Sequence, residues 1–106
     1  MDIGEILKRL RLIYGYKAYE MSEELKISPS YLSEIEHGNR APSLELLQSY
    51  AAIFEIKLSV LILLSEECFD MIQQDKTEMF IRKRMLKLID KYSKGLVDTE
   101  EDEDKV

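Results

Sequence analysis

With 106 residues, 45% of them hydrophobic and none a tryptophan, the chain has apolar material for one small core, which oligomerisation would help to stabilise. One cysteine and one histidine leave no intrachain disulfide and no self-contained zinc site, and the longest unbroken apolar run, Val60 to Leu64, is far short of the roughly 20 residues that span a bilayer. A net charge of −6 is unexpected for a chain that binds nucleic acid, and its distribution matters more than its sum.

The opening MDIGEILKRLRL mixes acids and bases among its apolar positions and lacks a signal-peptide core, so a cytoplasmic protein is expected. Ile3, Ile6, Leu7, Leu10 and Ile13 mark one face of a first helix, with Lys8, Arg9 and Arg11 elsewhere on its circumference. Gly15 closes it. A second helix is expected from about Lys17 to Leu25, with Met21 and Leu25 inward. The stretch SPSYLSEIEHGNRAPS, Ser28 to Ser43, follows. Ser28 is a good N-cap, and Pro29 takes the first helical position, where a missing N–H costs nothing. Leu32, Ile35 and Tyr31 supply an apolar stripe, and Gly38 offers the left-handed residue that ends the helix. A short helix with a serine-rich leading end and a buried trailing side suits a DNA major groove, and it is also what a short core helix looks like. Ser43 caps a fourth helix in which Leu44, Leu47, Tyr50, Ala51 and Phe54 are expected inward. A fifth begins near Lys57 and holds Leu58, Leu61, Ile62 and Leu64. No strand alternation persists, so an all-α domain is expected.

Beyond Ser65 the pattern changes. SEECFDMIQQDKTE is weakly periodic, with Cys68 read as a semi-buried small hydrophobe and Asp75 or Thr77 placed to cap a last helix. In that helix Ile81, Met85, Leu88 and Tyr92 share one face, flanked by Leu86 and Ile89. Lys83, Lys87, Lys91 and Lys94 share the opposite one. The apolar stripe reads as a core or dimer contact. The lysines read as a solvated face, with a second DNA-contacting surface as the sharper alternative. Gly95 is expected to end the helix, and VDTEEDEDKV has the composition of a solvated acidic tail. Charge is segregated: residues 76–94 hold seven Lys/Arg against two acids, and residues 98–104 hold six acids. The expected organisation is a domain over 1–66, a helical extension for dimerisation or partner binding over 67–96, and a flexible acidic tail over 97–106.

Over about residues 3–65 the chain resembles helix-turn-helix domains of the lambda-repressor/Cro type, the XRE family. The resemblance is carried by GYKAYEMSEELKIS, then SPSYLSEIEHGNRAPS and LELLQSYAAIFEI. Family members usually read YLS or IS, then I-E-x-G, R and P-S at this spacing, and all are present. The chain is similar in flavour to master repressors with a SYLSxIE helix and to antitoxins that repress their own operons. The resemblance implies a five-helix lambda-repressor-like DNA-binding domain, followed here by a C-terminal helical extension. By position it implies that Pro29, Ser30, Tyr31 and Glu34 face base edges, with Ser33 near the backbone. Asn39 and Arg40 match positions that approach phosphates, and Lys17, Ala18 and Ser28 stand at the helix starts beside the DNA. Arg11 and Glu36 match positions that often form a partly buried ion pair joining the first and third helices.

By type, Ser30 and Ser33 can bond bases or phosphates, while Glu34 could accept from a cytosine amine and would repel phosphate. Phosphate contacts position the helix and carry most of the salt-dependent affinity. The sequence departs from the family pattern at Ala18, where a glutamine is usual, with Lys17 and Tyr19 beside it to compensate electrostatically. It departs again at Lys26, in place of the usual turn glycine. In a left-handed conformation Lys26 would carry a strain of roughly 1 kcal/mol or more. Glu20, Glu23 and Glu24 give the second helix an acidic face. His37 is expected to be exposed at a helix end, favourable to its dipole.

Two functions follow from the resemblance. One is a dimeric, sequence-specific transcriptional repressor, its two recognition helices about 34 Å apart on a palindromic operator of double-stranded DNA. The other is an antitoxin that binds a toxin, or another protein partner, through residues 66–106 and represses its own operon. No glycine-rich phosphate loop, metal-ligand cluster or convergent catalytic set is present, so neither an enzyme nor a cofactor is expected.

Overall fold

Asp2, Ser28 and Ser43 each turn a side-chain oxygen onto the backbone N–H three residues ahead, at 2.9, 3.1 and 3.1 Å, and so fix the starts of three helices. The structure, a computed structural model, describes residues 1–65 and 76–104, with side chains through residue 100. Its helices are α1 (Ile3–Ile13), α2 (Ala18–Leu25), α3 (Pro29–Glu36), α4 (Leu44–Phe54), α5 (Leu58–Leu64) and α6 (Lys76–Asp104), with no strand among the described residues. The sequence expectations at Cys68 and Asp75 fall outside the described residues.

The core of the first five helices gathers Leu7, Met21, Leu25, Leu32, Ile35, Tyr50, Phe54 and Leu61, with Ile27, Tyr31 and Leu58 packed at its margin. This is the apolar stripe of each helix turned to one centre. Gly4 sets the approach of α1 to α3: a Cβ built there would lie 2.0 Å from the Ile35 carbonyl oxygen. Only glycine lets the two backbones cross so closely.

Two expected inward positions stand outward. Ile13 and Leu44 are 38% and 58% exposed, because Leu44 is the first residue of α4 and Ile13 the last of α1, each beyond the reach of its neighbours. Leu46 takes the buried place in α4. Lys26 does take the left-handed conformation, at φ 59° and ψ 43°, as C-cap of α2.

The larger corrections concern α6. Gly95 does not end the helix, which continues to Asp104. Glycine lowers helix propensity without forbidding helix, and contacts with α1 outweigh that deficit. Of the two readings of the stripe Ile81, Leu88 and Tyr92, a core or a dimer contact, the core one does not hold, since these are 42%, 52% and 61% exposed. The docked face is one step round the helix. Ile89 packs on Ile6 and Leu64 with Met85 and Leu86 at the edge, and Ser93 is wholly buried. Arg9 bridges the same seam, donating to Ser93 Oγ at 2.9 Å and pairing with Glu5 at 3.0 Å and Asp90 at 3.4 Å. The first part of the expected free tail is also held against α1, through Glu100, which accepts from Arg11.

Candidate nucleic-acid interface

Behind α3 lies one fully buried cation. Arg11 has no exposed surface, and each of its five N–H donors is engaged. Nε and Nη2 meet the two carboxylate oxygens of Glu36 at 2.7 and 3.1 Å. Nη1 donates to the Tyr16 carbonyl at 2.9 Å and to Glu100 Oε2 at 2.8 Å, and Nη2 also reaches Glu100 Oε1. The structure thus brings the two residues of the expected ion pair together and adds a third, Glu100. Burial works against the charge on Arg11, but the two carboxylates outweigh it and raise its pKa further. Burial also pushes Glu100 upward, yet its bonds to Arg11 and the charges of Arg11 and Lys8 hold it below the usual glutamate range. The same guanidinium fixes α1, the turn before α2, the end of α3 and the end of α6.

In front of that lock, α3 shows an open polar face. Ser28, Pro29, Ser30, Ser33 and Glu34 are exposed, Tyr31 is half-buried, and Leu32 and Ile35 point back into the core. Asn39 and Arg40 are exposed in the loop that follows, which folds back so that both of their N–H groups reach the Glu34 carbonyl. Arg40 lies over the Tyr31 ring, 5.0 Å from its centroid, and pairs with Glu34 at 3.6 Å. Tyr31, Glu34 and Arg40 therefore form one surface cluster. Its exposed ion pair contributes little, so Arg40 can release Glu34 for a stronger acceptor at small cost.

Lys17 and Ala18 are exposed at the start of α2, whose first turn is closed by Glu20 accepting the Lys17 N–H at 2.9 Å. One acid of the second helix is thereby occupied in capping. A cleft of about 460 Å³ runs between the α2–α3 turn and α4, lined by Ser28, Tyr31, Ser43, Glu45 and Ser49 among others. The starts of α3 and α4 thus border the same hollow, and helix N-termini favour anions. His37 caps α3 with Nδ1 2.7 Å from the Ser33 carbonyl, in an exposed position.

Sequence reasoning missed Gly4, Ser93 and Glu100. Gly4 left a signal, an isolated glycine one helical turn before Leu7 on the buried face of α1. Ser93 and Glu100 lie about one and three turns beyond Ile89 on α6, and only the docked geometry distinguishes them from neighbouring polar residues. Among the described residues no group of His, Cys, Asp or Glu could hold a metal ion, and no single helix is long and apolar enough to cross a membrane.

A "Helix-turn-helix" family model matches residues 7–61, from α1 through α5. The chain is 36% identical over 61 residues to the transcriptional regulator ClgR of Mycobacterium tuberculosis, covering 58% of this chain and 54% of ClgR. It is 31% identical over 61 residues to the regulator SinR of Bacillus subtilis, covering 57% and 55%, and 37% identical over 60 residues to SlrR of the same species, covering 56% and 40%. The matched region is about half the length of ClgR and SinR. Among solved structures, a chain from a SinR protein/SinI protein complex superposes with a TM-score of 0.53 at 24% identity, over 98% of this chain and 99% of that one. That likeness extends the shared fold beyond the matched domain to the C-terminal helix.

Proposed function

This chain belongs to the helix-turn-helix family, a family of transcriptional regulators and not of enzymes, and from that premise we propose that it is a sequence-specific repressor that acts as a dimer on a palindromic operator. The observation that carries the reading is the exposed leading end of α3, presented on a helix whose rear is locked by Arg11. Ser30, Tyr31 and Glu34 would read base edges, and Glu34 would select cytosine through its amine. Arg40, Asn39, Ser33 and the helix starts at Lys17, Ala18 and Ser28 would hold the backbone, with Pro29 set against the base edges. Occupying the operator would exclude polymerase from a promoter, in the cytoplasm.

A second reading assigns the C-terminal region to a different protein, in the manner of an antitoxin with its toxin. The exposed apolar line on α6 supports it, as does the solution of SinR in a complex with SinI.

The decisive experiment titrates the protein into DNA from its own promoter over a salt series, with random DNA as control. The reading expects tight binding to the promoter, far above random and falling steeply with salt. Tyr31→Ala and Arg40→Ala should each weaken it without changing helix content. Binding indistinguishable from random, or indifference to the double substitution, would overturn the assignment.

A further inference from the structure

α6 carries two apolar lines, and the other described residues use only one. At 100° per residue, Ile89, Ser93 and Glu100 turn towards α1. Ile81, Met85, Leu88 and Tyr92 follow one another at steps of four, three and four along a neighbouring line, continued by Gly95 with Leu96 beside it and by Thr99. The large members of this line other than Met85 are 42% to 61% exposed. Steps of four and three define the seam of paired helices. Gly95 lies on that seam in helical conformation, and a Cβ there would meet nothing within 4 Å. Among the described residues nothing therefore asks for a glycine at that place.

We propose that this seam is the interface of an antiparallel homodimer, α6 against α6, with the two-fold axis at Tyr92. The proposal rests on the regulator reading only in supplying the two-fold molecule that a palindrome needs. Reflection about Tyr92 brings Leu88 of one copy over Gly95 and Leu96 of the other, where the missing side chain leaves room. Docking and pairing use adjoining faces of α6 that share only Met85, and Ser93 and Glu100 lie off the seam, so their grip on α1 is retained in the dimer.

The charge pattern selects a second copy running the opposite way. One flank of the seam carries Arg84 and Lys91 in its first half and Asp98 in its second. In an antiparallel pair, residues on the same flank face each other. Reflection carries position 84 to position 100, which places Arg84 about 3 Å along the axis from Asp98 of the other copy, at 1.5 Å per residue, and this contact occurs twice in the pair against a single like-charge meeting of Lys91 with its own copy beside the axis. The same operation lays the basic segment 76–94 beside the acidic segment 98–104 at both ends of the pair. A parallel pair would set base on base and acid on acid. Such a self-complementary surface is isologous, and it closes at two copies.

Sedimentation equilibrium of the whole chain without DNA tests this directly. The native chain should dimerise at about micromolar concentrations, and Leu88→Asp should abolish the dimer while leaving the circular dichroism spectrum unchanged. Arg84→Glu and Asp98→Arg should each weaken association about tenfold. Mixing those two variants in equal amounts should restore it, because both cross-contacts in the mixed pair are again between opposite charges. A mixture no tighter than either variant alone overturns the antiparallel register. A native chain that stays monomeric at hundredfold higher concentration overturns the dimer, and the seam then belongs to another protein or another part of this chain. A dimer that ignores its promoter would instead sink the repressor reading and leave this interface standing.

Discussion

Glu100 closes over the guanidinium of Arg11 from 89 residues further along the chain, with Nη1 to Oε2 at 2.8 Å, so that one buried cation lies between two carboxylates. The Glu36 side chain is 6% exposed and that of Glu100 is 15% exposed. Losing Glu36 strands the cation on the side of α3, where no other described residue bonds it. We expect Glu36→Ala to destabilise the fold by about 3–5 kcal/mol, the cost of breaking a buried pair. Glu100→Ala should cost less, about 1–3 kcal/mol, because water reaches that side once α6 lifts. Urea unfolding followed by circular dichroism measures both. Two effects below about 0.5 kcal/mol would mean that the pair is solvated in solution.

The same contact predicts an acid transition. Arg11 holds Glu100 below the usual glutamate range in the folded state, so its contribution is fully present above the unfolded value of about 4.3. That contribution is lost as the pH falls from there through the depressed value. Stability measured from pH 6 to pH 3 should therefore drop, and Glu100→Gln should remove part of the drop. An identical pH profile in the variant would show that Glu100 does not carry the transition.

The residues from α1 to α5 were legible because their information is local. Caps, apolar spacing and turn residues lie within one or two turns of the structure they specify, as at Ser28, Pro29 and Gly38. The pairing of Arg11 with Glu36 was legible only through resemblance. The inward face of α6 was not legible, because two apolar lines lie side by side on it and the sequence does not rank them. What ranks them is tertiary. Ile89 meets Ile6 and Leu64, Ser93 accepts from Arg9, and Glu100 meets Arg11. The acids after Gly95 read as solvated for the same reason, since the cation that binds one of them lies at the far end of the chain.

Gly4→Ala isolates the close crossing of α1 and α3. Alanine is the better helix former, so on an exposed surface the change would stabilise by about 1 kcal/mol. Here the added methyl group would meet the Ile35 carbonyl oxygen, a backbone atom that cannot turn aside. The helices must separate, and the sign reverses: we expect a loss of about 3 kcal/mol or more. Operator affinity should fall with it if α3 reads the operator as proposed, since Ile35 lies in α3. A variant as stable as the native chain would show that α1 and α3 do not cross this closely.

Lys26→Gly probes the turn between α2 and α3. Lys26 sits at φ 59° with its side chain exposed, and its N–H bonds the Glu23 carbonyl at 3.1 Å, an interaction that glycine keeps. Relieving a left-handed lysine returns about 1–2 kcal/mol. The more flexible unfolded chain takes back about 0.4–1 kcal/mol. The balance is a gain of about 0.5–1 kcal/mol, read as a melting temperature several degrees higher. Removing a positive charge beside α3, the helix proposed to read DNA, acts the other way on DNA. If Lys26 lies within reach of a phosphate, the glycine variant should show a shallower dependence of operator affinity on salt, by about one counterion. Higher stability with an unchanged salt slope would place Lys26 in the turn alone. A loss of stability would mean that the left-handed turn is not populated in solution.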